Sequence, residues 1–219
     1  MHNKLIILFL VIALALSGCA NMNQSQQNTA QGTAIGTGLG AAFGAAIGAL
    51  AGDAALGAGI GAGVGLVGGY IWSSHMEQQK RDLERVTAGT GITVTQTDNN
   101  MLKMNIPGDL SFDSGSARIK PSMYPVLNSV ATGLMNSPAS LVMIAGHTDD
   151  TGSDAVNNPL SINRAQNTRT YIASQGIPSN RIVIDGRSSY NPIVPNDSPA
   201  NRAKNRRIEV FMFEPQQQR

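Results

Sequence analysis

The chain has 219 residues, which is enough for one ordinary domain with additional segments. Charged residues make up only 14% of it and the formal net charge is +2, so the composition offers no argument for a nucleic-acid-binding protein. The single cysteine, Cys19, excludes an intramolecular disulfide, and the uneven spread of the 24 glycines indicates two compositional regimes.

The first 18 residues have the pattern of a signal peptide. A short positive region precedes an apolar run, residues 5–16, that is shorter than the roughly 20 residues a bilayer-spanning helix needs. The following Leu-Ser-Gly-Cys sequence resembles the lipobox of bacterial lipoproteins, which implies a diacylglycerol on Cys19. In the enterobacterial sorting pattern, Ala20 then implies the outer membrane. An uncleaved signal anchor with an incidental cysteine is the alternative.

Residues 19–31 form a polar tether, and residues 32–72 carry glycine at every fourth position. The first series is Gly32, Gly36, Gly40, Gly44, Gly48 and Gly52, and the second is Gly57, Gly61, Gly65 and Gly69. This spacing puts small residues on one helical face, so it predicts a helical hairpin that turns around Asp53 and packs glycine face to glycine face. We expect the hairpin to associate with a membrane or with itself. A flexible linker is the alternative, although a linker needs no period.

Residues 73–90 are polar and suit a helix. Glu77 and Arg81, like Lys80 and Glu84, are opposite charges four residues apart, which supports a helical conformation. We interpret this segment as a solvated connector.

Residues 91–215 show the patterning of an α/β domain, with a hairpin followed by two strand–helix–strand units. The expected elements, in chain order, are strands at 92–97 and 102–106, a helix from Pro121 that Pro138 stops, a buried strand at 141–145, a helix from Ser161 as N-cap to Gly176, a strand at 181–184, a helical turn from Ser198, and an alternating strand at 208–213. Together they predict a sandwich with helices on one face of a mixed sheet.

The strand at 141–145 ends in polar residues, which is a common place for a binding site. Counted from Ser161, Arg164 would lie in the first turn of its helix, where a cation is disfavoured by about 0.3–1 kcal/mol. A local rule broken in this way often marks function. Arg164 and the first-turn amides would receive a carboxylate, and Asp149 would receive a cation, so the pair would recognise a zwitterion. The alternative is a plain Asp149–Arg164 salt bridge that closes the loop.

Several short motifs occur together in residues 91–214. They comprise Phe112, Asp113, Gly146, His147, Thr148, Asp149, Asn157, Leu160, Ser161, Arg164, Ala165, Gly186, Asn191, Pro192, Asn196, Arg202, Asn205, Arg206 and Arg207. In this combination the chain resembles the OmpA-like peptidoglycan-binding family, shared by the OmpA C-terminus, the Pal lipoproteins and the MotB stator proteins. The order of lipobox, glycine zipper and this domain is similar to lipoproteins of the YiaD type. The resemblance implies a βαβαββ-type sandwich.

The resemblance also assigns roles at the site. It implies that Asp149 and Arg164 grip the free amino-acid end of meso-diaminopimelate in the peptidoglycan stem peptide. The other implied binding residues are Asp113 for polar contacts, Phe112 and Leu160 for packing or backbone contacts, Thr148 beside Asp149, and Asn157 to order the loop. We expect Asn205, Arg206 and Arg207 to tie the last helix to the sheet, with Arg206 also a candidate for the ligand rim. Pro159, a departure from the family pattern, is expected to stiffen the loop over the site.

The function implied by the resemblance is a non-enzymatic tether without cofactor or metal. Its lipid on Cys19 would lie in the outer membrane of a Gram-negative bacterium, and its periplasmic domain would bind peptidoglycan. A metal hydrolase built on His147 is disfavoured, because no second histidine lies at ligand spacing. No Ser-His-Asp or Cys-His set is evident either. The remaining alternative is a glycine-zipper-driven oligomer or pore positioned by its wall-binding domain.

Overall fold

The computed structural model describes residues 70–98 and 100–214. The predicted signal peptide, Cys19, the tether and nearly all of the glycine zipper lie outside these residues, so they stay predictions. In this described part, no helix has the length and apolar character that a membrane span requires. The elements are α1 (Ser74–Thr87), β1 (Thr93–Gln96), β2 (Leu102–Pro107), α2 (Gly108–Ser111), α3 (Tyr124–Asn136), β3 (Leu141–Gly146), α4 (Asp154–Ser174), β4 (Ile182–Gly186), α5 (Pro199–Asn205) and β5 (Arg207–Phe213), with 3-10 turns at Pro121–Met123 and Ser179–Arg181.

The strands form one mixed sheet in the order β1-β2-β5-β3-β4. β3 and β4 are parallel, and the other neighbours are antiparallel. The last strand, β5, lies in the middle of the sheet, where Ile208 is opposite both Ile106 and Gly146. All seven residues of β5 are buried, so the alternation in its sequence does not reflect a solvated face.

The main core lies between the sheet and helices α1, α3 and α4, which confirms the predicted layer of helices on one face. Alternate residues of the central strands point into it, including Ile144 and Val210, and α3 and α4 contribute Leu127 and Ile172. Each fully buried side chain of this kind contributes about 1.5–3 kcal/mol relative to an exposed one. This packing holds α4 against the ends of β3 and β4.

The segment expected to be a solvated connector is instead part of the domain. It is helical as predicted, and its two ion pairs form, with 3.1 Å between Glu77 and Arg81 and 2.8 Å between Lys80 and Glu84. However, Leu83 and Met76 are buried in the main core against α3. The apolar residues of α1 are few, but they fall on one face and dock it.

The long helix α4 begins eight residues earlier than predicted. Its first residue is Asp154 rather than the residue after Ser161, and Pro159 lies inside it. Proline in a helix interior removes a backbone hydrogen bond and usually breaks the helix. Here residues on both sides are held by tertiary contacts, since Asn157 bonds the β3–α4 loop and Ser161 accepts from the Ser188 amide at 3.1 Å. Pro159 therefore stiffens a helical turn and not a loop.

Candidate ligand-binding cleft

A cleft of about 590 Å³ opens at the edge of the sheet where β3 ends and β5 begins. All the predicted binding residues line it, although they come from three separate parts of the chain: Phe112, Asp113, Thr148, Asp149, Asn157, Leu160 and Arg164. The other lining residues are Asp109, Ser114, Gly115, Lys120, Thr151, Val156, Pro199, Arg202 and Arg206. The structure thus brings together the residues that the sequence singled out.

A close contact between strand and helix sets the position of the loop after β3. A Cβ on Gly146 would lie 2.2 Å from the Ser161 carbonyl oxygen, so only glycine lets α4 approach the end of β3 this closely. The loop is then held by its backbone, because the Thr148 amide donates to Ser188 at 2.8 Å. Asn157 donates to the carbonyls of Asp149 and Thr151 at 3.3 and 3.1 Å, as its predicted role in ordering the loop requires.

Asp149 pairs with Arg206, and not with Arg164 as one interpretation of the sequence had it. Its carboxylate accepts from Arg206 Nη1 at 2.7 Å and from the Thr151 amide at 2.9 Å. Burial alone would raise the pKa of Asp149, but these hydrogen bonds outweigh it and hold the pKa below its ordinary value. The carboxylate is therefore ionised at neutral pH.

Arg206 is a bridge between two carboxylates. Besides Asp149, it binds Asp109 with Nε at 3.1 Å and Nη2 at 2.8 Å, a two-point geometry typical of strong Arg–carboxylate pairs. Its hydrogen bond lowers the pKa of Asp109. Sequence reasoning missed Asp109, and no local motif marks it. The α2 segment reaches Arg206 because the Gly108 amide donates to the Arg206 carbonyl at 2.7 Å.

Arg164 lies in the middle of α4, so the argument from a first-turn cation and free amides was wrong. Its side chain is 4% exposed, and burial lowers its pKa. Nε donates to the Ser116 carbonyl at 2.9 Å, and the guanidinium lies 5.1 Å from the centre of the Phe112 ring. Among residues 70–98 and 100–214, no carboxylate forms a salt bridge with Arg164.

The neighbours of Arg206 have the structural roles expected of them. Asn205 accepts from the amides of Ile193 and Val194 at 2.9 and 3.2 Å, which fastens the loop before α5. Arg207 donates to Glu209 at 3.1 Å and to the Asn191 carbonyl at 3.1 Å. These contacts hold the start of β5, and with it Arg206, at the edge of the cleft.

His147 is buried beside the cleft and does not line it. Burial lowers its pKa to about 4, so the imidazole is neutral at pH 7. Its Nε2 lies 3.4 Å from Glu209, but it is not aligned for a hydrogen bond. In the described part of the chain, no three or more His, Cys, Asp or Glu side chains are grouped to hold a metal ion.

The charges around the cleft have both signs. Asp109, Asp113 and Asp149 supply carboxylates. The cationic lining residues are Lys120, Arg164, Arg202 and Arg206. Such an arrangement suits a ligand that presents an ammonium group close to a carboxylate.

Two family models match the chain. Residues 111–206 match the OmpA family, and residues 1–77 match the YMGG-like Gly-zipper.

Individual relatives show similarity over part of their length. A protein named "Probable lipoprotein YiaD" from Escherichia coli (strain K12) is 36% identical over 138 residues, which cover 63% of this chain and 63% of that protein. "Peptidoglycan-binding protein ArfA" from Mycobacterium tuberculosis (strain ATCC 25618 / H37Rv) is 41% identical over 105 residues, 48% of this chain and 32% of that protein. The chain thus spans less than two thirds of either relative.

Solved structures show the same fold. A MotB-like protein from Desulfovibrio vulgaris is 26% identical with a TM-score of 0.55, over 64% of this chain and 94% of that one. The cell wall anchor of the T6SS from Pseudomonas aeruginosa is 28% identical with a TM-score of 0.54, over 62% of this chain and 99% of that one. These likenesses confirm the predicted fold.

Proposed function

Since residues 111–206 match the OmpA family, we propose that the chain is a peptidoglycan-binding lipoprotein. Its cleft holds the free amino-acid end of meso-diaminopimelate in the stem peptide, and its lipid holds the outer membrane. Two similar proteins are a peptidoglycan-binding protein and a cell wall anchor, and this similarity supports wall binding.

The observation that carries the proposal is the environment of Arg164. A guanidinium withdrawn from water is costly unless an anion pairs with it. In the described residues its direct contacts are a carbonyl and an aromatic ring, while the nearby carboxylates of Asp109 and Asp149 pair with Arg206. With Nε bound to Ser116, the terminal amino groups of Arg164 are suited to the carboxylate of an incoming ligand.

The ammonium group of the same ligand then binds Asp149. In the structure, Arg206 neutralises this carboxylate at 2.7 Å. Arg206 also has a two-point contact with Asp109, so it keeps a partner when a ligand ammonium takes its place on Asp149. Asp109 thus makes the cost of opening the Asp149–Arg206 pair smaller.

The proposal assigns binding without catalysis. His147 is neutral and 1% exposed, and it does not line the cleft, so it is not placed to act on a bound peptide. The lipid attachment at Cys19 makes the binding a tether, because each buried CH2 of an acyl chain contributes about 0.8 kcal/mol to membrane affinity.

The test is a pull-down of the full chain on diaminopimelate-type peptidoglycan. We expect Asp149→Asn and Arg164→Gln each to weaken binding roughly 10- to 100-fold, since a hydrogen bond to a charged group is worth about 1.5–3 kcal/mol. Arg169→Gln, on the same helix but outside the cleft, is the matched control and should bind as wild type does. Binding of both cleft variants at wild-type strength would show that the site is elsewhere.

A second candidate function is an oligomer or pore driven by the glycine zipper, with the wall-binding domain only positioning it. The match of residues 1–77 to the YMGG-like Gly-zipper favours a specific role for that segment. In this candidate, assembly depends on the zipper while wall binding remains a property of the cleft.

A further inference from the structure

Two tyrosines from neighbouring helices form an aromatic surface outside the cleft, which we call the tyrosine platform: Tyr124 on α3 and Tyr171 on α4. Their rings are stacked, with centroids 4.8 Å apart and planes at 8°. The Tyr171 hydroxyl donates to Oδ1 of Asn128 at 2.9 Å, which fixes the pair and places an exposed amide beside it. Tyr124 remains 38% exposed, so part of this rigid surface faces solvent.

The tyrosine platform lies on the same side of α4 as the cleft residue Arg164. Tyr171 follows Arg164 by seven residues on α4, so both lie on one face of the helix, about 10 Å apart along its axis. Tyr124 follows the cleft residue Lys120 by four residues. Between them, Asn167 donates to the Ala117 carbonyl at 2.8 Å and holds the intervening loop against α4.

The distance from Arg164 to the tyrosine platform is within the reach of a stem peptide. In peptidoglycan, diaminopimelate is the third residue of a stem peptide that is joined to a sugar of the glycan strand. An extended chain reaches about 3.3–3.6 Å per residue, so three residues span about 10 Å, and the diaminopimelate side chain whose free end is in the cleft adds to this reach. A diaminopimelate bound at Arg164 can therefore place its sugar at the tyrosine platform.

The surface also suits a sugar ring. A pyranose has apolar C–H faces and polar hydroxyl and N-acetyl groups around its edge. A tyrosine ring offers an apolar face with a polar tip, which is why tyrosine is enriched at binding interfaces. The exposed Asn128 amide lies at the edge of the stacked rings, where polar groups of a sugar would be.

We propose that the tyrosine platform binds a sugar ring of the glycan strand whose stem peptide occupies the cleft, an inference that rests on the proposed function. The protein then binds two parts of the wall at once: the charged end of the peptide and the sugar to which the peptide is joined. Free diaminopimelate peptides lack the second part.

The experiment measures binding of the full chain to two soluble probes by calorimetry: a diaminopimelate tripeptide, and the same tripeptide on its N-acetylglucosamine–N-acetylmuramic acid disaccharide. We expect the disaccharide form to bind about two- to tenfold more tightly, the range typical of one aromatic contact. Tyr124→Ala should remove this difference without changing the affinity for the tripeptide alone. Tyr124→Phe, which keeps the ring, should retain it.

The two proposals fail in different ways. If the wild type binds the tripeptide but the disaccharide adds nothing, the tyrosine platform is only a contact between α3 and α4, and the inference is wrong. The same follows if Tyr124→Ala weakens both probes equally. If neither probe binds, the proposed function fails and the inference falls with it. Thermal unfolding of each variant separates a loss of binding from a loss of folding.

Discussion

Arg164 lies among a carbonyl, an aromatic ring and an open cleft, and this environment is more informative than its place in the sequence. Arg164 was predicted to be functional because a cation in the first helical turn is unfavourable, but the residue lies in the helix interior. What distinguishes it is burial beside Ser116 and Phe112 without an ion pair in the described region. A ligand carboxylate would supply the missing counter-charge.

At the scale of single residues, His147 should make the folding stability depend on pH. Its folded pKa of about 4 lies below the ordinary value of 6.5, so between these pH values the unfolded chain binds a proton that the folded protein does not. Folding stability should therefore be unaffected by this residue above pH 6.5 and fall as the pH drops towards 4, by up to about 3 kcal/mol. His147→Gln should flatten this part of the profile.

Chemical denaturation of the full chain at several pH values from 4 to 7 measures this effect. His75→Gln on the exposed surface of α1 is the control and should leave the slope as in wild type. The charged groups near His147 are Glu209, Arg207 and Arg187. The pKa of Glu209 lies well below its ordinary value, so this carboxylate stays ionised across the range. An unchanged slope in His147→Gln would contradict the assignment.

At the scale of elements, the site depends on how closely α4 packs on the sheet. The contact is made at Gly146 and Gly186, where an added Cβ would lie 2.2 Å from the Ser161 oxygen and 2.1 Å from Cγ1 of Ile162. The loop after β3 carries Asp149 and α4 carries Arg164, so the separation of the two charges is set by this packing.

We expect Gly146→Ala to lower the free energy of unfolding by about 1–3 kcal/mol, the usual cost of overpacking, because its new methyl group meets backbone. Wall binding should also weaken, since α4 must move relative to the loop. Asn163→Ala, on the exposed side of the same helix and outside the cleft, is the control and should leave stability and wall binding close to wild type. Chemical denaturation and the peptidoglycan pull-down measure both effects. Wild-type binding by Gly146→Ala would contradict the role of this contact.

At the scale of the whole molecule, the chain enters the domain far from the cleft. Tyr70 packs on Phe213 at the end of β5, with ring centroids 4.7 Å apart, and the Ile71 amide donates to Glu214. Arg206 lies at the opposite end of this seven-residue strand, about 20 Å away at the rise of a β-strand. The contact of Tyr70 with Phe213 and the cleft residue Arg206 are thus at opposite ends of β5.

This arrangement predicts that wall binding does not need the glycine zipper. Deletion of residues 32–69, which keeps Tyr70 and its contacts, should leave peptidoglycan pull-down unchanged. Crosslinking of the same deletion variant tests the oligomer candidate, because loss of higher species would assign assembly to the zipper. Loss of wall binding in a variant that still unfolds cooperatively would show that the zipper contributes to the site.

The sequence by itself determined the class of the domain and its mixed sheet, and it singled out polar residues that line the cleft. Apolar alternation marks β2 because side chains on a strand point to opposite faces, and an unbroken apolar run marks the buried strand β3. Short motifs mark Asp149 and Asn157. The start of α4 could not be predicted, since Pro159 and the polar residues before it break any apolar period. That turn is helical only because the loop and the sheet hold it.

The tertiary structure alone decided which charges meet. Arg206 binds Asp109 across 97 residues of sequence, and Arg164 binds Ser116 across 48. Periodicity reports contacts only within one element, so it says nothing of partners brought together from distant segments. For the same reason the docking of α1 and the Tyr124–Tyr171 stack, both long-range contacts between helices, could be found only in the fold.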